Sequence, residues 1–209
     1  KPKAITRFLN DARTLGKLNH SNVVRIYYVD IDRFYFVMEL VKGITLKKWI
    51  PDQAGKQDGT RMRIAIQLCE ALQYIHSQGI IHRDIKPQNM MISDSGDLKI
   101  LDFGIAREGS STITADGSIM GTVEYMSPEQ VGEEGSIDHR TDIYSAGMVL
   151  YELFTGQLPF RVEEGGKDSV WPLMKKIFSE PMPEPRSVNR RLSKPMNDLI
   201  LKALHRDRA

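Results

Sequence analysis

Residues 82–104, HRDIKPQNMMISDSGDLKILDFG, constrain the chain more than any other stretch. Met90-Met91-Ile92 reads as one short apolar strand and Leu98-Lys99-Ile100-Leu101 as another. Between them, Ser93-Asp94-Ser95-Gly96 is turn chemistry, so the segment is expected to fold as a hairpin. A hairpin brings its two ends together, which puts Asn89 and Asp102 side by side, with Asp84 and Lys86 one short loop away. Two carboxylates, an amide oxygen and an ammonium then face one point. That set suits phosphoryl transfer from a magnesium nucleotide. It offers oxygen ligands for a hard cation, a base for an incoming hydroxyl, and positive charge beside the moving group.

Composition narrows the classes around that point. The 209 residues fit one large domain, and an apolar fraction of 41% supports a full core. A net charge of +2 gives no reason to expect nucleic acid or an anionic membrane as partner. The basic residues Arg186, Arg190, Arg191 and Lys194 are read as a solvated face. Cys69 is the only cysteine, so no internal disulfide forms; it is expected as a buried small hydrophobe in a reducing, cytoplasmic setting. No apolar run is long enough to span a bilayer, and no signal segment opens the chain. The start at Lys1, without an initiator Met, points to a fragment of a longer protein.

Hydrophobic spacing lays out the rest. Phe8, Leu9, Ala12, Leu15 and Leu18 predict a helix over 6–18. Residues 23–29 and 33–40 predict two strands joined by a turn at Asp30-Ile31-Asp32, followed by a link at Val41-Lys42-Gly43. Thr45 caps a short helix through Ile50, and 51–59 reads as loop. The clearest helix covers 60–78, with a stripe of Ile64, Leu68, Leu72 and Ile75 widened by Ala65, Cys69 and Ala71, and Gly79 as its stop. Residues 105–119 are rich in Ser, Thr and Gly and form a loop. A helix over 141–154 is apolar almost all round, hence buried, and ends at Gly156. Another covers 169–179. Ser193 caps a last helix that turns Met196, Leu199, Ile200, Ala203 and Leu204 inward. The fold class is α+β.

The order His82-Arg83-Asp84, Asp102-Phe103-Gly104 and Ser127-Pro128-Glu129 resembles the signature set of protein kinases across nearly the whole chain. The resemblance implies a partial small β lobe with one helix at 1–40, a hinge at 41–44, and a mostly helical large lobe at 45–209. It implies ATP and Mg2+ as cofactors and Ser/Thr-bearing proteins as substrates. Asp84 then looks like the catalytic base rather than a loop-capping carboxylate. Lys86 looks like the residue that steadies the transferred group rather than a surface lysine. Asn89 and Asp102 resemble the metal ligands. Thr122 resembles the threonine that bridges the substrate loop and Asp84. Met38 matches the gatekeeper. Glu39 to Val41 match the hinge that bonds adenine, and Met91 the residue beneath the base. His82 and Phe103 resemble the lower members of a stacked apolar column, with Leu15 and Ile26 above. Asp142 resembles an aspartate that braces the catalytic loop. A charge in so apolar a helix needs partners in any case. Glu129 resembles a carboxylate that pairs with an arginine expected beyond Ala209. Arg83 matches an arginine that pairs with an activation-loop phosphate, for which Thr112 and Thr114 are the preferred sites.

The chain departs from the family pattern in two places. No Gly-rich loop and no Val-Ala-Ile-Lys lysine is present, so the lysine is expected upstream of Lys1, and the 209 residues alone are expected to be nearly inactive. Asp11 stands where glutamate is usual. Lys86 and Thr122 are similar to serine/threonine kinases, and 121–130 with 138–147 resemble the bacterial eukaryotic-like type, often anchored by a membrane helix. That resemblance implies a cytoplasmic kinase domain, no membrane contact within this chain, and self-association for autophosphorylation. A pseudokinase scaffold is the alternative, and a small-molecule phosphotransferase ranks below it. Gln88, where kinases preferring basic substrates have glutamate, argues against a strong demand for arginine near the target.

Overall fold

The computed structural model describes residues 16–30, 33, 35–52, 58–102, 123–131, 137–160 and 170–207. Most of the helix expected over 6–18 and all of the loop at 105–119 lie outside the described residues.

Strands β1 (Ile26–Asp30) and β2 (Tyr35–Met38) form an antiparallel pair. They are shorter than expected. Val23 leaves the run to bridge Ile100, and Val24 N–H donates to the Ile100 carbonyl at 2.9 Å. A second sheet has the order β3-β4-β5, with β3 at Gly43–Thr45, β4 at Met90–Ser93 and β5 at Leu98–Ile100. The predicted hairpin is therefore present, with Met90 opposite Ile100 and Ile92 opposite Leu98. Met90 and Ile92 face the core and Met91 the other side, as the two-residue period of a strand requires. Strand β3 was not foreseen. The chain enters the lower sheet inside the segment read as a link, because Gly43 crosses Ser93 closely with φ at +151°. A Cβ there would lie 2.0 Å from the Ile92 carbonyl oxygen. Gly43→Ala is therefore expected to cost at least about 1–3 kcal/mol in a urea melt, from backbone strain alone. An unchanged midpoint would mean that the crossing is looser.

Helix α1 (Leu46–Asp52) starts as predicted, with Lys48 N–H donating to Thr45 Oγ1 at 3.4 Å, and runs on through Pro51. Helix α2 (Asp58–Ser77) buries Ile64, Ala65, Leu68, Ala71, Leu72 and Ile75. Each fully buried Leu or Ile contributes about 1.5–3 kcal/mol. Cys69 is a correction, since it is exposed. It sits one turn past Ala65 at the edge of the stripe. Neighbours crowd its sulfur enough for desolvation, and then Glu70, to raise the thiol pKa, but they do not cover the residue.

Short helix α3 (Pro128–Val131) leads towards α4 (Arg140–Thr155), the central helix. Thirteen of its 16 residues are buried, so other elements pack on every side: α2, the 3-10 turn Val123–Tyr125, and two later helices. It stops at Gly156, whose φ of 78° lets its N–H reach back to the Glu152 carbonyl. Helices α5 (Val170–Ser179), α6 (Pro185–Val188) and α7 (Lys194–Ala203) complete the described chain. Ser193 caps α7 as predicted, accepting from Met196 N–H. Leu199 is a second correction, at 50% exposed. The buried stripe of α7 is Asn197 and Ile200, continued by Leu204. Asn197 Oδ1 accepts from Arg186 N–H at 3.1 Å, so a polar contact occupies part of the buried face. No helix among the described residues is long and apolar enough to cross a membrane. Arg186, Arg190, Arg191 and Lys194 are all exposed, in keeping with a solvated face.

Candidate active site

The hairpin brings the predicted site residues together. Leu101 N–H donates to the Asn89 carbonyl at 2.8 Å, which closes the open end of β4 and β5 and sets Asp102 beside Asn89. Asn89 ends the 3-10 turn Pro87–Asn89 and is buried. Its Nδ2 donates to the Asp84 carbonyl at 3.0 Å and to Asp84 Oδ2 at 2.8 Å. A carboxylate only accepts, so the amide nitrogen must face Asp84, and Oδ1 is turned the other way. Lys86 Nζ meets the same Asp84 oxygen at 2.9 Å, with both side chains mostly covered. Carboxylate, ammonium and amide are thus held as one unit.

The loop that carries Asp84 is fixed from below. Asp142, fully buried in α4, accepts from His82 N–H at 2.8 Å on Oδ2 and from Arg83 N–H at 2.8 Å on Oδ1. His76 Nε2 donates to Oδ2 at 2.8 Å, which puts the ring proton on that nitrogen. Gln130 Nε2 takes the Arg83 carbonyl at 2.8 Å. These bonds hold Arg83 at φ 65°, a left-handed conformation unusual for a side-chain-bearing residue.

His82 is buried, and its Nδ1 accepts from Asp84 N–H at 3.3 Å. Burial lowers its pKa from 6.5, partly opposed by Asp142, Asp84 and the Leu101 backbone. The folded state therefore refuses a proton that the unfolded chain takes up below pH 6.5. Stability is full above that pH and declines as pH falls towards the lowered value. Urea midpoints at pH 7.5 and 5.5 are expected to differ in the native chain and to converge in His82→Phe. An equal pH slope in both would exclude His82 as the source.

The residues expected to form the hinge lie beside the lower sheet. Glu39 pairs with Lys99 of β5 at 2.8 Å and accepts from Arg25 N–H, and these contacts lower its pKa, the Lys99 bond most. Its own N–H is used by the Arg25 carbonyl, while Val41 N–H makes no hydrogen bond among the described residues. Met38 is 42% exposed and Met91 half-buried, so both present apolar surface outside the core. Ile26, read as a column member above His82, is buried. Glu129 accepts from Thr141 Oγ1 at 2.6 Å. Asp11, Leu15, Phe103, Thr112, Thr114 and Thr122 lie outside the described residues.

Sequence reading missed three residues here. Asn22, read only as a helix breaker, is buried and stitches the preceding loop to the hairpin: its Nδ2 donates to the Leu98 carbonyl and its carbonyl accepts from Ile100 N–H. Lys99, the polar residue of an apolar strand, holds Glu39 in an ion pair. Glu152 is a second charge in an apolar helix, and the reasoning that found Asp142 applied equally to it.

Asn89 Oδ1 and the Asp102 carboxylate are hard oxygen donors. No group of three or more acidic, His or Cys side chains gathers among the described residues. A pair of protein oxygens completed by phosphates and water is the way magnesium is usually held, so the residues fit that ion.

A protein-family profile described as "Protein kinase domain" matches residues 1–209. The chain belongs to the protein kinase domain family. Its curated relatives include a probable serine/threonine-protein kinase of Clostridium perfringens, 40% identical over 97% of this chain and 29% of that protein. Serine/threonine-protein kinase PrkC of Bacillus subtilis is 37% identical over 97% of this chain and 31% of its own length. Serine/threonine-protein kinase PknB of Mycobacterium tuberculosis is 35% identical over 97% and 33%. The chain spans about a third of the length of these relatives.

Proposed function

We propose that this kinase domain transfers the γ-phosphoryl group of ATP to Ser or Thr hydroxyls of proteins in the cytoplasm. The observation that supports this best is the Asp84, Asn89 and Lys86 cluster, preassembled on a loop braced by Asp142. Asp84 accepts the proton of the incoming hydroxyl. Lys86, 2.9 Å from that carboxylate, stabilises charge on the group in transit. Asn89 Oδ1 and Asp102 would hold magnesium, which when bound would neutralise charge on the phosphate oxygens. Catalysis is then mainly positioning and electrostatics. Val41 N–H is a ready donor for adenine, with Met38 and Met91 as apolar walls and Glu39 locked by Lys99. Residues 41–44 serve as the hinge between the lobes. Thr122 bridges the substrate loop and Asp84, and Asp11 supplies the helix carboxylate. Arg83 receives a phosphate placed on Thr112 or Thr114 by a second copy of the protein. Names of the relatives support Ser/Thr as acceptor.

The test is to incubate the full-length protein with labelled ATP, magnesium and a protein substrate, then hydrolyse it and separate the phosphoamino acids. Phosphoserine or phosphothreonine that disappears with chelator is the expected result. Label confined to tyrosine would reject the acceptor class. No label, with ATP still bound, would favour a scaffold role.

A further inference from the structure

Lys47 of α1 reaches across to α4. Its Nζ lies 2.6 Å from Glu152 Oε1 and donates to Tyr125 Oη at 3.3 Å. Tyr125 Oη in turn donates to Glu152 Oε2 at 2.5 Å. Both oxygens of Glu152 are therefore engaged, and its carboxylate is buried. The ammonium is different. The Lys47 side chain is 43% exposed, and an ammonium has three donors, of which these bonds take two.

The position of this network gives it a use. Helix α1 packs on the 3-10 turn that ends in Asn89, the residue holding Asp84. Lys47 thus stands on the element packed against the turn that holds Asp84, so a peptide that presents its hydroxyl to Asp84 lies next to the helix that carries Lys47. On its other side the network is Tyr125, at the end of the turn that leads into Ser127-Pro128-Glu129.

Building on the kinase reading above, we propose that Lys47 is a specificity-determining residue that selects an acidic side chain near the target hydroxyl, because both oxygens of Glu152, its carboxylate partner among the described residues, are already engaged by Lys47 and Tyr125. A basic side chain in the same place meets an ammonium and no unengaged oxygen of Glu152. Lys47 is a positioning residue for substrate and takes no part in proton transfer.

The experiment uses the full-length protein and three synthetic peptide sets. Each carries one Ser or Thr and, at each position up to four residues either side, Glu, Gln or Lys. The readout is the ratio of kcat/KM between Glu and Gln peptides and between Lys and Gln peptides. The native protein is expected to favour Glu at one position by about 2- to 5-fold, the range of a half-exposed ion pair. Lys47→Arg keeps the preference. Lys47→Met loses it and raises the Lys/Gln ratio, since Glu152 is then released. Urea melts of both variants check that the fold survives. Equal ratios at every position in the native protein, or a Glu preference unchanged in Lys47→Met, would overturn the assignment while leaving the kinase reading intact. Failure to phosphorylate any peptide or protein substrate would instead remove the kinase reading and this proposal with it.

Discussion

Asp84→Asn is expected to lower phosphotransfer by roughly 10²–10⁴-fold, the usual worth of a positioned general base. The change is nearly isosteric. The amide oxygen still accepts from Asn89 Nδ2, so the 2.8 Å bond that ties Asn89 to the loop survives. What is lost is a group able to take a proton, and the charge that pairs with Lys86 at 2.9 Å. Nucleotide affinity should change little, because Asp84 is not among the groups assigned to phosphate, metal or adenine. Steady-state phosphorylation and ATP titration of the full-length protein, native against variant, measure the two effects separately. A variant retaining more than a tenth of native turnover would remove Asp84 from the role of base. A parallel loss of ATP binding would mean that the substitution disturbed the site.

Asp142→Ala is expected to be the most damaging single change in the described core. The carboxylate satisfies the backbone N–H groups of His82 and Arg83, and the ring of His76. Stranding the two buried N–H groups costs about 1–3 kcal/mol each, or roughly 2–6 kcal/mol together. A second effect is separate from stability. Arg83 stays at φ 65° because Asp142 and Gln130 hold the groups on either side of it. Without the carboxylate the loop relaxes and Asp84 moves, and a shift of about 1 Å in a catalytic group costs roughly 10²-fold in rate. Asp142→Asn keeps one acceptor oxygen and should fall between Ala and native in a urea melt. Activity measured well below the melting temperature separates misplacement from unfolding. A native rate in folded Asp142→Ala would show that the loop is braced elsewhere.

Much of the lower sheet and of the site could be read in advance for a physical reason: the information is local. The β4–β5 hairpin is written in about a dozen consecutive residues, as two apolar runs with Ser-Asp-Ser-Gly between them. Its closure alone brings Asn89 to Asp102. The caps at Thr45, Ser193 and Gly156 are likewise contacts within a few residues. The misses are contacts over long separations. Strand β3 exists because Gly43 finds Ser93, and no pattern within residues 41–45 announces a partner so far along the chain. Cys69 and Leu199 were placed inward on helical phase, which gives a direction to within a residue or so. Which residues on the margin of a stripe are covered depends on what packs there, and on α7 the buried face holds Asn197, which accepts from Arg186 N–H, while Leu199 is left exposed.

The sequence by itself determined the identity of the groups on the loop that carries Asp84, their order, and the hairpin that gathers them. These follow from side-chain chemistry and from spacings of a few residues. Only the tertiary structure decided how those groups are held. Asp142 sits 58 residues beyond Asp84 in the chain numbering and still fixes its loop. Lys47 and Glu152 are separated by 105 residues and meet in one ion pair. Such pairs form because α4 is buried on every side, and a buried carboxylate takes whatever donors the packing brings within reach. The sequence named the groups of the candidate site; the burial of one helix determined where the loop that carries Asp84 is anchored.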